Sequence, residues 1–290
     1  MFSGSFGTLE FDTHQHDDDD AVLALAAYKN MRLLRQTSSD EFKVNATNLV
    51  DASVSAALCK LSLPNVVHIE GVDFLTHTGH EIKAVVAMEA GVNTLHSYVT
   101  NRPRMYRQGA DYNVYRRMKK AYSVLADLVR GLHAMHCNGL VHGDVKPENI
   151  ILTSNSDDFS VKLVDFGGAL LVDHYDKTRR PNVRCTHRYA PPEMFLPAAT
   201  TSVRASATTV DAYCLGATLY YFIYGEHVVK PDKDDADTMR RTHLADIYAD
   251  PDSPGELRSR SVYVFTACRG VSDMYSGGGL RHACDYTRDN

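Results

Sequence analysis

Val141-His142-Gly143-Asp144-Val145-Lys146-Pro147-Glu148-Asn149-Ile150-Ile151-Leu152, followed by Val161-Lys162-Leu163-Val164-Asp165-Phe166-Gly167, decides how this chain is read. The first stretch is a polar turn between two apolar runs, and the second is a short strand ending in Asp-Phe-Gly. Asp144, Lys146, Asn149 and Asp165 converge on one point if the two apolar flanks pair as a hairpin. Two carboxylates, an amide and an ammonium suit a polyphosphate with a divalent metal: oxygens hold the ion, and the lysine neutralises developing charge. The remaining carboxylate can take a proton from a hydroxyl.

The first motif resembles the protein kinase catalytic loop, His-Arg-Asp-Leu-Lys-x-x-Asn, and the second resembles the family's metal-binding Asp-Phe-Gly. Order, spacing and apolar flanks agree together, where either motif alone would be modest. The resemblance implies an α+β, bilobal fold with a small, mainly-β lobe and a larger, mainly-α lobe. MgATP would bind in the cleft between them. It implies Asp144 as catalytic base, Lys146 at the γ-phosphate, and Asn149 and Asp165 as Mg²⁺ ligands. The bland alternative for Asp144 is a turn or helix-capping carboxylate. Asp-x-Lys-Pro-Glu-Asn resembles the serine/threonine branch, so the expected substrate is a protein hydroxyl of Ser or Thr. Gly143 stands where the family carries an arginine that commonly receives an activation-loop phosphate. Glycine cannot do so, which predicts activity without loop phosphorylation at Thr178 or Thr186.

Upstream, Ser3-Gly4-Ser5-Phe6-Gly7 lets backbone amides approach phosphates. Gly4 and Gly7 match the second and third glycines of the family's Gly-x-Gly-x-x-Gly, with Phe2 in the first place. The first strand of the small lobe is nearly absent, so either the lobe is trimmed or the true start lies upstream. His14 to Asp20 reads as a solvated hairpin tip rather than a metal site. The apolar run from Ala21 ends in Ala27-Tyr28-Lys29 and resembles the third strand of the family, which makes Lys29 the partner of the α- and β-phosphates. Residues 39–63 are predicted helical in their second half, with Leu49, Ala52, Ala56, Ala57, Leu58 and Leu61 on the apolar side. Counting back from Pro64 puts Val54 where the family's αC glutamate belongs. Asp51, one turn earlier, or Glu41 are the candidate substitutes. Two strands follow, Val66–Phe74 and Ile82–Glu89, joined by a turn at Thr76–Gly79. The second leads to the interlobe hinge, with Met88 as gatekeeper and the Glu89-Ala90-Gly91 backbone facing adenine.

Residues 112–138 read as a long helix with an apolar stripe of Val114, Met118, Tyr122, Leu125, Leu128, Val129, Leu132 and Met135. Gly168–Pro191 resembles the activation loop. Thr186 is expected near Asp144 and Lys146, and Glu193 is expected to take an arginine from Arg258, Arg260, Arg269 or Arg281. Cys185 reads as an inert thiol rather than a redox switch. Val210–Glu226 resembles the family's αF helix, with Asp211 capping the catalytic-loop backbone. After residue 226 the match fades.

The chain of 290 residues, 44% hydrophobic and 23% charged, has the length of one kinase domain, with 1–91 as small lobe and hinge and 92–290 as large lobe. A net charge of −5 gives no reason to expect nucleic acid. No apolar run has the length of a membrane span. No signal peptide is visible, and six scattered cysteines read as reduced thiols, which points to the cytoplasm or nucleus. The oligomeric state is not legible. A pared-down kinase of this kind resembles viral ones. Two other classes compete with the active protein kinase. One is a pseudokinase that binds nucleotide as a scaffold, favoured by Val54. The other is a kinase-fold enzyme acting on a small molecule, disfavoured by Lys146 and Thr186–Glu193.

Overall fold

A computed structural model of the chain describes residues 2–4, 7–15, 22–36, 42–77, 81–102, 111–156, 158–171, 185–191, 194, 207–228 and 238. The N-terminal part is an antiparallel sheet. Strand β1 (Phe2–Gly4) is short and turns into β2 (Gly7–Gln15), which places Gly4 opposite Gly7 at the mouth of the turn. The acidic run after His14 connects β2 to β3 (Val22–Gln36), since Gln15 pairs with Val22; the run itself lies outside the described residues.

β3 does not end at Lys29 as its apolar composition suggested, but runs seven residues further, to Gln36. Alternation explains this. Ala27, Met31 and Leu33 are buried on one face while Arg32 is exposed on the other, the period of two that a half-buried strand requires. Lys29 shares the face of Ala27 and Met31, in mid-strand. A short strand β4 (Phe42–Val44) pairs with the end of β3.

Helix α1 (Ala46–Leu58) opens with an Asn45 cap, whose side chain accepts the Asn48 amide. The Asn48 side chain in turn donates to the Arg32 carbonyl, fixing the helix to β3. The buried face of α1 is Asn48, Asp51, Ala52, Ser55 and Leu58. The expected stripe is therefore corrected: Leu49 and Ala57 face outward. Hydrophobicity misleads here because the inward face carries polar groups that have partners. Strands β5 (Ile69–His77) and β6 (Glu81–Glu89) complete the sheet in the order β1-β2-β3-β6-β5, with β6 against β3.

The C-terminal part is mainly helical. Strand β7 (Asn93–Thr94) leads into α2 (Leu95–Thr100), capped by Thr94, and then α3 (Asp111–Cys137). The core face of α3 is Arg117, Ala121, Val124, Leu128, Leu132 and Met135. Met118 and Tyr122, placed in the stripe by the sequence, are 42% and 71% exposed, so the first half of that stripe was one residue out of register. Burying the Leu128, Leu132 and Met135 side chains contributes about 1.5–3 kcal/mol each.

Short strands β8 (Leu140–Val141), β9 (Ile150–Leu152), β10 (Val161–Leu163) and β11 (Leu170–Leu171) follow. The apolar flanks of the polar turn do not pair with each other. Instead β9 pairs with β10, inside the second motif, and β8 with β11, just after it. Helix α4 (Ala207–Tyr224) is buried nearly all round, with Val210, Asp211, Cys214, Leu215 and Thr218 fully enclosed, as a helix apolar on every side must be.

Cys59, Cys185 and Cys214 are free thiols. Cys137 is disulfide-bonded, so the expectation of reduced thiols throughout does not hold. Wide spacing in sequence does not limit distance in a fold.

Candidate active site

Lys29 and the two polar motifs come together around the β9–β10 pair. Ile150 lies opposite Leu163, and the Val164 amide donates to the Asn149 carbonyl at 3.0 Å. That pairing carries Asn149, just before β9, alongside Asp165, just after β10. The four converging residues form two groups of contacts.

In the first group the Lys29 ammonium donates to Asp51 Oδ2 at 2.6 Å and to Asp165 Oδ1 at 3.0 Å. Asp51 Oδ1 also accepts the Phe166 amide at 3.2 Å, so one carboxylate on α1 holds both the strand lysine and the Asp-Phe-Gly backbone. Of the two substitutes that the sequence offered for the absent glutamate, Asp51 reaches Lys29; Glu41 lies outside the described residues. Burial works against the charge on Lys29, but Asp51 and Asp165 outweigh it and its pKa is raised. Burial pushes the Asp51 carboxyl up despite Lys29. Burial also pushes Asp165 upward, but Lys29 and the Gly167 amide together bring it below the ordinary range. Asp165 has φ +67°, a left-handed backbone at a non-glycine residue that functional turns tend to hold. Phe166 beside it is 1% exposed and packs at 5.9 Å from the His142 ring.

In the second group Asp144 Oδ2 accepts from Lys146 at 2.7 Å and from Asn149 Nδ2 at 3.3 Å, while Oδ1 accepts the Thr186 amide at 2.8 Å. Lys146 also donates to Thr186 Oγ1 at 2.8 Å. Asn149 Nδ2 further donates to the Asp144 carbonyl at 2.9 Å, which leaves the amide oxygen of Asn149 as its donor for a cation.

The loop backbone is pinned from below. Asp211 on α4 accepts the His142 amide at 2.9 Å and the Gly143 amide at 2.8 Å, and its Oδ2 lies 2.8 Å from His136 Nε2. Gly143 has φ +78°. A side chain there would bear a steric cost of about 1–2 kcal/mol, so glycine fits this corner without strain.

Met88 and Glu89 end β6, beside Gly91. Met88 is opposite Ala27 on β3. The Glu89 side chain is held by Lys162 at 2.5 and 2.6 Å and by the His68 amide, fixing the end of β6 to β10; sequence reasoning missed Lys162, and a partner 73 residues away leaves no local signal. Gly91 packs so closely on Ile151 that a Cβ would lie 2.6 Å from the Ile151 Cβ. Gly4 and Gly7 sit at the β1–β2 turn. Thr178, Glu193, Arg258, Arg260, Arg269 and Arg281 lie outside the described residues.

The donor set fits the group that the resemblance implied. One carboxylate and one amide oxygen are hard donors, and Mg²⁺ takes few protein ligands when phosphates and water supply the rest.

A family model for the protein kinase domain matches residues 4–263. The chain belongs to the protein kinase family. Among curated relatives, serine/threonine-protein kinase GRIK2 of Arabidopsis thaliana is 32% identical over 126 residues, covering 43% of this chain and 28% of that protein. NUAK family SNF1-like kinase 2 of Rattus norvegicus is 28% identical over 176 residues, 60% of this chain and 24% of the relative. Serine/threonine-protein kinase PknB of Mycobacterium leprae is 36% identical over 109 residues, 37% and 16% respectively. The chain thus spans less than a third of each of these relatives. They come from a plant, an animal and a bacterium, so a viral source has no support from them.

Proposed function

We propose that the chain is an active serine/threonine protein kinase that transfers the ATP γ-phosphoryl group to a Ser or Thr hydroxyl of a protein. The observation that carries this reading is the Lys29 ammonium between Asp51 and Asp165. The pseudokinase alternative drew its strength from Val54, where a carboxylate was missing. Asp51 reaching Lys29 supports the active reading instead, and a scaffold has no chemical need for Asp144, Lys146, Asn149 and Asp165 together.

Each residue then has a task. Lys29 binds the α- and β-phosphate oxygens, held in place by Asp51. Asn149 and Asp165 would hold Mg²⁺, which when bound would neutralise charge that builds on the phosphate oxygens. Asp144 orients the substrate hydroxyl and takes its proton as the oxygen bonds to the γ-phosphorus and the bond to the β-phosphate oxygen breaks. Its Oδ2 already accepts two hydrogen bonds, but Oδ1 accepts one, leaving a lone pair for the hydroxyl. Lys146 stabilises the transferred group. Thr186, bonded to both Asp144 and Lys146, shapes the hydroxyl's approach and supports the serine/threonine assignment. The Glu89–Gly91 backbone receives adenine, and the Gly4–Gly7 turn offers its backbone amides to the phosphates. A single kinase domain divided at residue 91 is part of the same proposal.

Transfer of labelled γ-phosphate from MgATP to a generic basic protein, measured beside Asp144→Asn, tests the reading. Transfer by the wild type that falls at least a hundredfold in the mutant supports it. Tight MgATP binding without any transfer turns the reading to a pseudokinase.

A further inference from the structure

Cys185 Sγ lies 3.3 Å from Cys214 Sγ, closer than two non-bonded sulfurs ordinarily rest and short of a covalent bond. The sequence separates the two by 29 positions and gave no reason to join them. Cys214 is fully buried in the middle of α4, next to the core residue Leu215. Cys185 is half-buried and is followed directly by Thr186, whose amide and hydroxyl bond Asp144 and Lys146.

We propose that Cys185 and Cys214 are an oxidation site: hydrogen peroxide converts them to a disulfide that draws Thr186 away from Asp144 and Lys146. The half-buried Cys185 meets the oxidant first, since burial pushes the Cys214 thiol well up and keeps it protonated. Cys185 sulfur attacks the peroxide oxygen and the O–O bond breaks. This gives a sulfenic acid and one water, the thiol proton leaving with the departing hydroxide. Cys214 sulfur then displaces hydroxide from that sulfenic acid; the S–S bond forms, the S–O bond breaks, and the hydroxide leaves with the Cys214 proton as a second water. Two thiols lose two electrons and one peroxide gains them.

Bond formation must close the sulfurs from 3.3 Å to about 2.05 Å. The fixed partner is Cys214, enclosed in α4, so Cys185 moves and carries Thr186 with it. A displacement of about 1 Å at a positioned reacting group lowers rate by roughly a hundredfold. This effect on phosphoryl transfer rests on the roles proposed for Asp144 and Lys146, whereas formation of the bond does not.

The full chain is treated with hydrogen peroxide, its remaining thiols are alkylated, and a non-reduced digest is mapped by mass spectrometry. The expected product is a peptide pair linked through Cys185 and Cys214 that a thiol reductant separates. Phosphate transfer should fall at least tenfold in step with the link and return on reduction, while Cys214→Ala and Cys185→Ser keep their activity through the same cycle. Cys185 found as sulfinic acid beside an alkylated Cys214, or linked to any other cysteine, overturns the site. A complete link with unchanged transfer overturns its effect on Thr186. A reduced chain with no transfer at all would sink the kinase reading, and the linked peptide would still decide the bond.

Discussion

The Lys29 ammonium lies 2.6 Å from Asp51 Oδ2, although counting back from Pro64 in the sequence placed the partner of this lysine one helical turn later, at Val54. Residues three apart share a helix face, so moving the carboxylate back one turn keeps it toward the sheet. The N-terminal half of α1, which includes Asp51, is the half tied to β3 through Asn45 and Asn48. A shorter side chain, one turn nearer that anchor, does the work of the longer one. Asp51 is 4% exposed at its side chain, and removing one member of a buried ion pair costs about 3–5 kcal/mol, much of it from the charge left behind.

Putting a glutamate at the expected position should therefore bring nothing. Val54 packs against the core, and Lys29 is already engaged. Val54→Glu is expected to lower the thermal midpoint by several degrees with no gain in kcat. A several-fold rise in kcat would show that Asp51 is an inadequate partner.

Asp211 is fully buried and holds two consecutive amides, those of His142 and Gly143. Asp211→Ala removes the partner of those amides and the carboxylate beside His136, a loss of about 3–5 kcal/mol. Calorimetry should register a fall of roughly 10 °C in Tm. A fall of under 2 °C would mean that the loop is held by other contacts.

Gly143 cannot receive a phosphate, and its φ of +78° suits glycine rather than the arginine of the family. Phosphatase treatment should leave phosphate transfer within twofold of the untreated value. If treatment abolished activity and rephosphorylation of Thr178 or Thr186 restored it, the loop would need another cation to read its phosphate.

The acid limb of stability should carry the signature of Asp165. Its folded pKa is depressed, so the stability it contributes is present above the ordinary aspartate value of 3.8 and is lost as pH falls through the folded value. In metal-free buffer the gap in Tm between wild type and Asp165→Asn should be full near neutrality and shrink below about pH 4. A gap that widened on acidification would give the shift the opposite sign.

Much of this site was legible because its chemistry is local. Asp144, Lys146 and Asn149 fall within one turn, and Asp165 follows a strand that pairs with the next residues of that turn, so spacing alone nearly brings them together. Asp211 was legible through the resemblance of Val210–Glu226 to the family's αF helix. What failed was reading a buried face from hydrophobicity. On α1 the inward positions include Asn48, Asp51 and Ser55, so an apolar count selected Leu49 and Ala57 instead. On α3 the buried Arg117 broke the stripe in the same way, its stem inside and its guanidinium bonded to the Ile223 carbonyl. The Glu89–Lys162 and Cys185–Cys214 contacts depend wholly on tertiary folding, and no pattern of neighbours announces them.

Single-turnover transfer of labelled γ-phosphate from saturating MgATP, compared between wild type and Asp51→Ala, tests most directly whether Asp51 completes the site. The account predicts rapid transfer by the wild type and a loss of at least fiftyfold in the mutant, with MgATP affinity changed by less than tenfold. Equal rates in the two proteins would contradict it, because Lys29 would then need no carboxylate from α1.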